Sequence, residues 1–158
     1  MSNEHIHVIG AGPAGLVAAI TLAKAGYPVT VYEMNRDVGR RFNGDYQGIE
    51  NWSTEEDAHE FLSRIGISTN FLSAPLGNVD FFNPSGQKYN FNMSRPLFYM
   101  IERGSNEWSL DQGLKRQAIE SGVTFNWGEK ITKVPESGKV IISTGPKGAD
   151  AIAKGIIF

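Results

Sequence analysis

Residues 6–19 of the 158-residue chain read IHVIGAGPAGLVAA, and this stretch places three glycines between two apolar runs. Glycine costs conformational entropy and contributes no packing, so three glycines in one turn indicate that something must lie close to the backbone. Gly10, Gly12 and Gly15 fit the spacing G-x-G-x-x-G. In that spacing the first glycine permits a tight turn, the second lets a diphosphate approach the backbone, and the third lets a helix pack closely on a sheet.

The glycines lie inside a predicted strand–helix–strand unit. Residues 5–9 form the first predicted strand, 13–25 the helix, and 29–33 a second strand rich in β-branched residues. Glu33 ends this second strand, eighteen residues after Gly15. An acid in that position accepts hydrogen bonds from ribose hydroxyls and repels a 2′-phosphate. The unit therefore predicts dinucleotide binding and disfavours NADP.

The predicted diphosphate site is the start of the helix. Free N–H groups and the positive end of the helix dipole meet there, and a proline suits the first turn because its missing N–H has no partner to lose. The alternative is a structural turn with an incidental surface acid. NAD and FAD share the ADP half, so these residues alone do not distinguish the two. The candidate dinucleotide-binding residues are Gly10, Gly12, Pro13, Ala14, Gly15 and Glu33.

The stretch VIGAGPAGLVAAITLAKAGYPVTVYE, residues 8–33, resembles the opening of FAD-dependent oxidoreductases of the glutathione-reductase-like fold. In that family a glycine–arginine element follows the acid by a few residues, and here its place is taken by Val38, Gly39, Arg40 and Arg41. The usual form has two glycines before the arginine, and Arg40 replaces one of them. The resemblance implies FAD as the cofactor and Arg40 or Arg41 as a contact of its phosphates. The alternative is a solvated basic loop.

A second stretch, residues 98–132, reads FYMIERGSNEWSLDQGLKRQAIESGVTFNWGEKIT and resembles a segment of the aromatic-hydroxylase and geranylgeranyl-reductase branch of the same fold. There an arginine precedes a helix that leads to the third parallel strand. The resemblance implies that Arg103 binds the cofactor and that the backbone of Ile131 contacts adenine. By spacing alone the apolar residues of this helix are a core stripe, and Arg103 is equally well a surface arginine at a strand end.

The predicted fold is an α/β, Rossmann-like βαβ FAD-binding domain with a parallel central sheet, a β-meander and an inserted β-hairpin region. Residues 1–158 are expected to be the N-terminal, incomplete part of this domain, with 70–103 as the inserted β-rich segment. In chain order the remaining predicted elements are an irregular loop over 34–52, a helix over 53–65 capped by Ser53 and Glu56, strands over 78–102 with a turn at 83–86, a helix over 109–121 capped by Ser109, a central strand over 123–127, and a meander over 131–134, 140–144 and 152–158.

Composition excludes several classes of protein. The net charge is −2, with no basic excess for nucleic acid, and no apolar run reaches the length of a membrane span. The chain has no cysteine, which excludes disulfide scaffolds, thiolate metal sites and thiol nucleophiles and is compatible with a cytoplasmic location. Its three histidines form no metal-ligand pattern, so we predict solvated or core histidines and no metal.

These patterns predict the N-terminal portion of an FAD-dependent oxidoreductase, of the reductase or monooxygenase type, that binds the ADP half of FAD. A small apolar substrate and an NAD(P)H donor are the expected partners. The alternative is an NAD-binding or non-catalytic nucleotide-binding module. Strand aromatics could line an apolar substrate pocket, although plain core or sheet packing is the commoner role. These aromatic residues are Phe81, Phe82, Tyr89, Phe91, Phe98 and Tyr99.

Overall fold

A computed structural model describes residues 4–133 and 135–145 of the chain. Nine strands and three helices are found in these residues. In chain order they are β1 (Ile6–Ile9), α1 (Pro13–Lys24), β2 (Val29–Glu33), β3 (Tyr46–Glu50), α2 (Ala58–Arg64), β4 (Ser73–Leu76), β5 (Asn78–Phe82), β6 (Lys88–Asn92), β7 (Phe98–Glu102), α3 (Leu110–Glu120), β8 (Thr124–Trp127) and β9 (Lys139–Ile142).

A four-stranded parallel sheet in the order β8-β2-β1-β9 carries the glycine motif. Strands β1 and β2 are joined through α1, as the βαβ prediction requires, and Val8 pairs with Val31 at their centre. Both valines are fully buried, together with Leu16 and Ile20 of α1. A buried parallel strand reads as a continuous β-branched run, which is why the sequence pattern located these two strands correctly.

The helix α3 packs with α1 in the same core. Ser109 caps its N-terminus by accepting a hydrogen bond from the backbone N–H of Gln112 at 3.2 Å, as predicted. Leu114 and Ala118 are buried against the cluster that contains Leu16. In chain order α3 links β7, which belongs to an antiparallel sheet, to β8 of the parallel sheet.

The antiparallel part of the molecule consists of a three-stranded sheet, in the order β3-β7-β4, and a separate hairpin formed by β5 and β6. The predicted turn joins the hairpin strands, and the N–H of Asn83 donates to the carbonyl of Gln87 at 3.0 Å. In the described residues no helix is long and apolar enough to cross a membrane.

The irregular loop predicted over 34–52 was wrong in its second half, because β3 occupies Tyr46–Glu50. This strand pairs with β7 in antiparallel register, Gly48 opposite Met100. The sequence YQGIE has a weak strand pattern of its own. It becomes a strand because a neighbouring strand offers its edge, which local propensity does not report.

The predicted start of the second helix at Ser53 was also wrong. Helix α2 begins at Ala58 and is capped by Asp57, whose carboxylate accepts a hydrogen bond from the N–H of His59 at 2.8 Å. The guanidinium of Arg95 donates hydrogen bonds to three backbone carbonyls in the segment that precedes Asp57. The carbonyls belong to Asn51, Thr54 and Glu55. These bonds hold the segment in a non-helical conformation.

Two further corrections concern the C-terminal half. Strand β8 pairs with β2 alone among the described strands, so it is an edge strand and not a central one. The predicted β-meander is not formed by the described residues, because β9 joins the parallel sheet beside β1 and 131–133 lie in no strand. β9 lies at the edge of this sheet, and its apolar residues are only partly covered, since Ile142 is 54% exposed. Residue 134 and the predicted strand over 152–158 lie outside the described residues.

Candidate functional site

The glycine turn connects β1 to α1 at the carboxyl edge of the parallel sheet. Gly10 has φ +105°, and a Cβ there would lie 2.6 Å from the carbonyl oxygen of Ser143. A Cβ on Gly15 would lie 2.1 Å from the carbonyl oxygen of Gly10 and 2.4 Å from Oγ of Ser143. Gly10 and Gly15 are therefore required by the packing of the turn itself.

Ser143 supports this turn from the end of β9. Its hydroxyl contacts the carbonyl oxygens of Ile9 and Gly10, at 3.0 and 2.9 Å. Sequence reasoning missed Ser143, since a serine more than 130 residues from the turn signals a role only once β9 is known to lie beside β1. That pairing also explains why Gly15 has no room for a side chain.

Gly12 differs from the other two glycines, because no heavy atom lies within 4 Å of the position that its Cβ would take. It is the N-cap of α1, no side chain caps this helix, and its first turn contains no acid. Among the described residues, no acceptor is found for the N–H groups of Gly12, Ala14 and Gly15. Pro13, the first helical residue, has no N–H to satisfy. An open surface with free donors at the positive end of a helix is suited to an anion.

The carboxylate of Glu33, the last residue of β2, lies beside this surface. One oxygen accepts a hydrogen bond from the N–H of Ala11, inside the glycine turn, at 3.0 Å. The other accepts from the backbone and side-chain nitrogens of Asn35, at 2.9 and 2.7 Å. A carboxylate offers about four acceptor positions, so Glu33 retains capacity for a further hydroxyl donor.

The predicted arginine pair lies in a segment that we call the arginine loop, residues 34–45. Arg40 and Arg41 are both exposed, at the centre of a turn closed by a 2.9 Å hydrogen bond from the N–H of Phe42 to the carbonyl of Gly39. Neither side chain forms a hydrogen bond or an ion pair with another described residue. Val38, just before this turn, is buried in the core cluster with Leu16, which keeps the loop at the carboxyl edge of the sheet.

Arg103, the third predicted arginine, is buried. Its Nε and one terminal nitrogen donate to the two carboxylate oxygens of Asp111, at 2.9 and 3.0 Å. Its other terminal nitrogen donates to Gln47 at 2.6 Å, and the guanidinium lies 4.3 Å from the ring centre of Phe42. Arg103 is thus not a surface arginine, and each of its three guanidinium nitrogens donates one hydrogen bond to the protein. Ile131 is half-buried and lies in no strand.

A second polar cluster joins α2 to β7, and no motif in the sequence indicates it. The ring of His59 stacks on Tyr99 with centroids 3.6 Å apart, and the Tyr99 hydroxyl donates to Asp57 at 2.8 Å. Burial, and then this hydrogen bond, raise the pKa of Tyr99 to about 12. Partial burial opposes ionisation of Asp57, but the donors around it, Tyr99 first, lower its pKa below the usual value. Burial lowers the pKa of His59, and the charge of Asp57 only partly opposes this shift.

Comparison with known proteins agrees with this geometry. Residues 8–63 match the family described as NAD(P)-binding Rossmann-like domain. The thiamine thiazole synthase of Thermococcus kodakarensis is 37% identical over 152 residues, which cover 91% of this chain and 58% of the synthase. A methylenetetrahydrofolate–tRNA-(uracil-5-)-methyltransferase, TrmFO, of Streptococcus suis is 28% identical over 163 residues, which cover 99% of this chain and 33% of the enzyme. The chain thus spans only part of the relatives that it matches.

Solved structures share the fold at low sequence identity. A 2-methyl-3-hydroxypyridine-5-carboxylic acid oxygenase superposes with a TM-score of 0.60 and 20% identity, over 81% of this chain and 32% of the oxygenase. A geranylgeranyl bacteriochlorophyll reductase-like protein of Thermoplasma acidophilum has a TM-score of 0.55 and 17% identity, over 81% and 30% of the two chains. The flavin-dependent brominase Bmp2 has a TM-score of 0.53 and 22% identity, over 77% of this chain and 29% of the brominase.

These neighbours confirm the fold class that the sequence predicted. The match to a Rossmann-like family covers the strand–helix–strand unit, and the structural likeness extends over most of the described chain. Residues 8–63 are thus similar to an NAD(P)-binding Rossmann-like family, and the chain has the fold that a geranylgeranyl-reductase-like protein and a flavin-dependent brominase share.

Proposed function

We propose that this chain is the N-terminal, nucleotide-binding portion of an FAD-dependent oxidoreductase and binds the ADP half of FAD. The observation that carries the proposal is the open surface at Gly12, where three N–H groups at the start of α1 lack acceptors among the described residues. A diphosphate supplies the acceptors and the negative charge that this helix end favours. Gly10, Pro13, Ala14 and Gly15 shape this surface.

Glu33 is the proposed partner of the adenosine ribose. Its carboxylate is fixed by the N–H of Ala11 next to the diphosphate surface, so a ribose hydroxyl meets an oriented acceptor. A 2′-phosphate would meet a negative charge in the same place, which favours FAD or NAD over NADP. Arg40 or Arg41 supplies the positive charge for the phosphates, and Ile131 remains the predicted backbone contact of adenine.

Bound FAD supplies the electron-transfer chemistry of its flavin ring, while the protein binds and orients it. The expected apolar substrate is supported by the hairpin. Phe81, Tyr89 and Phe91 line an apolar concavity of about 480 Å³ with Met93 and Leu97, and the hairpin aromatics are exposed. An NAD(P)H donor and a cytoplasmic location remain predictions from the sequence, as does the treatment of 70–103 as an inserted segment.

A nucleotide-binding module that takes NAD is the second candidate. The matched family is described by its binding of NAD(P), and the glycine turn and Glu33 serve the ADP half of either dinucleotide. Calorimetric titration of the chain with FAD, NAD and ADP separates the candidates. Tighter binding of FAD, with flavin absorbance that survives gel filtration, supports the proposal. Binding of NAD without binding of FAD would contradict it.

The substitution Gly12→Ala tests the site directly. We expect affinity for FAD and for ADP to fall at least about tenfold, or about 1.4 kcal/mol, because a methyl group would occupy the surface on which the diphosphate lies. Because nothing lies within 4 Å of the new Cβ, the thermal midpoint of the unliganded protein should change little.

Gly12→Ser is the matched control for this experiment. Serine is a better N-cap than glycine by a few tenths of a kcal/mol, so this variant should be at least as stable as the parent and still bind weakly. If both variants bind FAD normally, the diphosphate does not lie on Gly12 and the proposed site is wrong. Circular dichroism melts run beside the titrations give both quantities.

A further inference from the structure

We infer that Arg103 is a positioning residue, which fixes the arginine loop so that Arg40 and Arg41 face an anionic diphosphate, and that it does not bind the diphosphate itself. This inference rests on the proposed function, because the diphosphate is the ligand that the loop would meet. It departs from the direct contact that the sequence resemblance implies for Arg103.

The surroundings of Arg103 leave it little to offer a ligand. Asp111 accepts from two of its nitrogens and Gln47 from the third, which uses three of its five N–H groups. The ring of Phe42 lies against the guanidinium, and Arg103 is only 9% exposed, so the remaining N–H groups have little access to a ligand. Asp111 is in turn almost fully buried, and one of its oxygens also accepts from the N–H of Gly104 at 2.9 Å. Withdrawing Arg103 would leave a buried, unpaired carboxylate, which is strongly unfavourable.

The same arginine holds one side of the arginine loop. Phe42 belongs to the loop, Gln47 lies in β3 directly after it, and the backbone N–H of Arg103 donates to the carbonyl of Asp45 at 2.8 Å. Gly104 packs under the loop as well, since a Cβ there would lie 3.2 Å from the backbone nitrogen of Gly44. The loop is therefore attached to the residue pair Arg103–Gly104 by backbone and side-chain contacts together.

The helix α3 holds the other side of the loop. Asp37 accepts hydrogen bonds from Gln112 at 3.0 Å and from Lys115 at 2.7 Å. Partial burial opposes its ionisation, but the hydrogen bond from Lys115, followed by the other donors, lowers the pKa of Asp37. A Cβ on Gly39 would lie 2.1 Å from the carbonyl of Gly104, so the turn that begins at Gly39 lies directly on this support.

Arg40 and Arg41 lie between these attachments, and neither forms an ion pair with a described residue. They are the central residues of the turn, and both are exposed. Ordering a loop on binding costs free energy, and a loop that is already fixed avoids this cost. Two uncompensated cations on a fixed turn, at the edge that also carries the open helix end, suit a ligand with two adjacent negative charges, such as a diphosphate.

The first test needs no ligand. Trypsin cleaves after Arg40 and Arg41 only when the turn can leave its support, so Phe42→Leu and Asp37→Asn should each speed cleavage at these bonds about fivefold or more. Phe61→Ala is the matched control, because it removes another arginine–aromatic contact, the 5.1 Å contact with Arg64 on α2, far along the chain. Cleavage at the arginine turn that is equally slow in all variants would overturn the inference.

The second test separates positioning from contact. Affinity for ADP is measured by calorimetry for Arg103→Lys, for Arg40→Ala/Arg41→Ala, and for the three substitutions combined. Lysine retains the charge but lacks the fork that holds Asp111 and Gln47. We expect Arg103→Lys to weaken ADP binding about fivefold in the parent and less than about twofold when both loop arginines are absent, because its effect passes through them.

Each outcome has a distinct meaning. If Arg103→Lys weakens ADP binding by the same factor whether or not Arg40 and Arg41 are present, Arg103 contacts the ligand itself. That result overturns the inference and leaves the proposed function intact. Unchanged affinity in Arg103→Lys also overturns it; if Arg103→Lys does not fold, Phe42→Leu takes its place in the same cycle. If the parent protein itself fails to bind both ADP and FAD, the proposed function fails and the positioning role falls with it, whatever trypsin shows.

Discussion

The parallel sheet and the β5–β6 hairpin both contain apolar strand residues, but these residues have opposite surroundings. Val8 and Val31, at the centre of the parallel sheet, are 0% exposed, whereas Phe91 in the hairpin is 48% exposed. Helices α1 and α3 pack in one core with the parallel sheet and bury its central residues. The hairpin pairs with no other described strand. A run of strand-forming residues thus indicates a strand, but its connections decide whether that strand becomes core.

The hairpin separates most of its polar and apolar residues by face, with Phe82 as the apolar residue on the polar face. Phe81 pairs with Tyr89, and Val79 with Phe91, so these four side chains share one face. The opposite face is held by hydrogen bonds from Asn90 to Asn78 and Asp80 and by the ion pair of Lys88 with Asp80. Cross-strand pairs of this kind contribute about 0.2–1 kcal/mol each, so the hairpin is held mainly by local pairs, unlike the core of the parallel sheet.

The largest effect that would test this difference is expected at Gly15. Gly15→Ala places a methyl group 2.1 Å from the carbonyl oxygen of Gly10 and 2.4 Å from the hydroxyl oxygen of Ser143. The turn cannot shift to relieve these contacts, because it follows β1 directly and is hydrogen-bonded to Ser143 at the end of β9. We expect a loss of at least about 4 kcal/mol in the free energy of unfolding, comparable to the total stability of many domains. Urea denaturation followed by circular dichroism measures it.

Gly86→Ala in the hairpin is the matched comparison for Gly15→Ala. Gly86 has φ +80°, but no heavy atom lies within 4 Å of a Cβ there. Only the backbone strain remains, which costs about 1–2 kcal/mol. Equal losses at the two glycines would show that the contact with Ser143 does not decide the role of Gly15.

A smaller difference is expected between Leu16 and Phe91. Leu16 is fully buried in the core cluster, so Leu16→Ala should cost about 2–5 kcal/mol through lost burial and the cavity that it leaves. Phe91→Ala removes a half-exposed ring and its edge-on contact with Phe81 at 5.3 Å, for which we expect about 1 kcal/mol or less. The same urea measurement compares them. A loss above 2 kcal/mol at Phe91 would mean that the apolar face of the hairpin is covered in solution.

The sequence predicted what local rules decide. Strand β1, helix α1 and strand β2 lie within 28 residues, and the sequence predicted them from the glycine spacing, the β-branched runs and Glu33. Each of these signals depends only on residues that are close in the chain. The start of α2 depends on Arg95, almost forty residues away, and β3 depends on β7. Ser143 and the partners of Arg103 were missed for the same reason, since their roles exist only once distant strands have paired. The candidate site was therefore predicted in its glycine turn and acid, but not in its support.

The smallest expected effect concerns His59, at the junction of α2 with the antiparallel sheet. Burial lowers the pKa of His59, so the folded protein binds a proton there less readily than the unfolded chain does. Stability then rises with pH wherever the unfolded state holds more protons, and it should fall as the pH drops below the ordinary histidine value of about 6.5. The loss ends once the pH is below the folded pKa as well. The Asp57 carboxylate acts in a lower range, because its hydrogen-bond donors hold its pKa below the usual value for aspartate.

His59→Gln tests this dependence. Glutamine keeps a hydrogen-bonding group near the Ser73 hydroxyl, which His59 contacts at 2.8 Å, but it does not titrate. We expect the thermal midpoint of the variant to change less between pH 7.5 and 5.5 than that of the parent, in melts at constant ionic strength. The difference between the two proteins at pH 8 measures the altered packing on Tyr99 alone, since both side chains are then neutral. If the two midpoints fall in parallel from pH 7.5 to 5.5, the histidine at this junction does not govern the acid sensitivity of the fold.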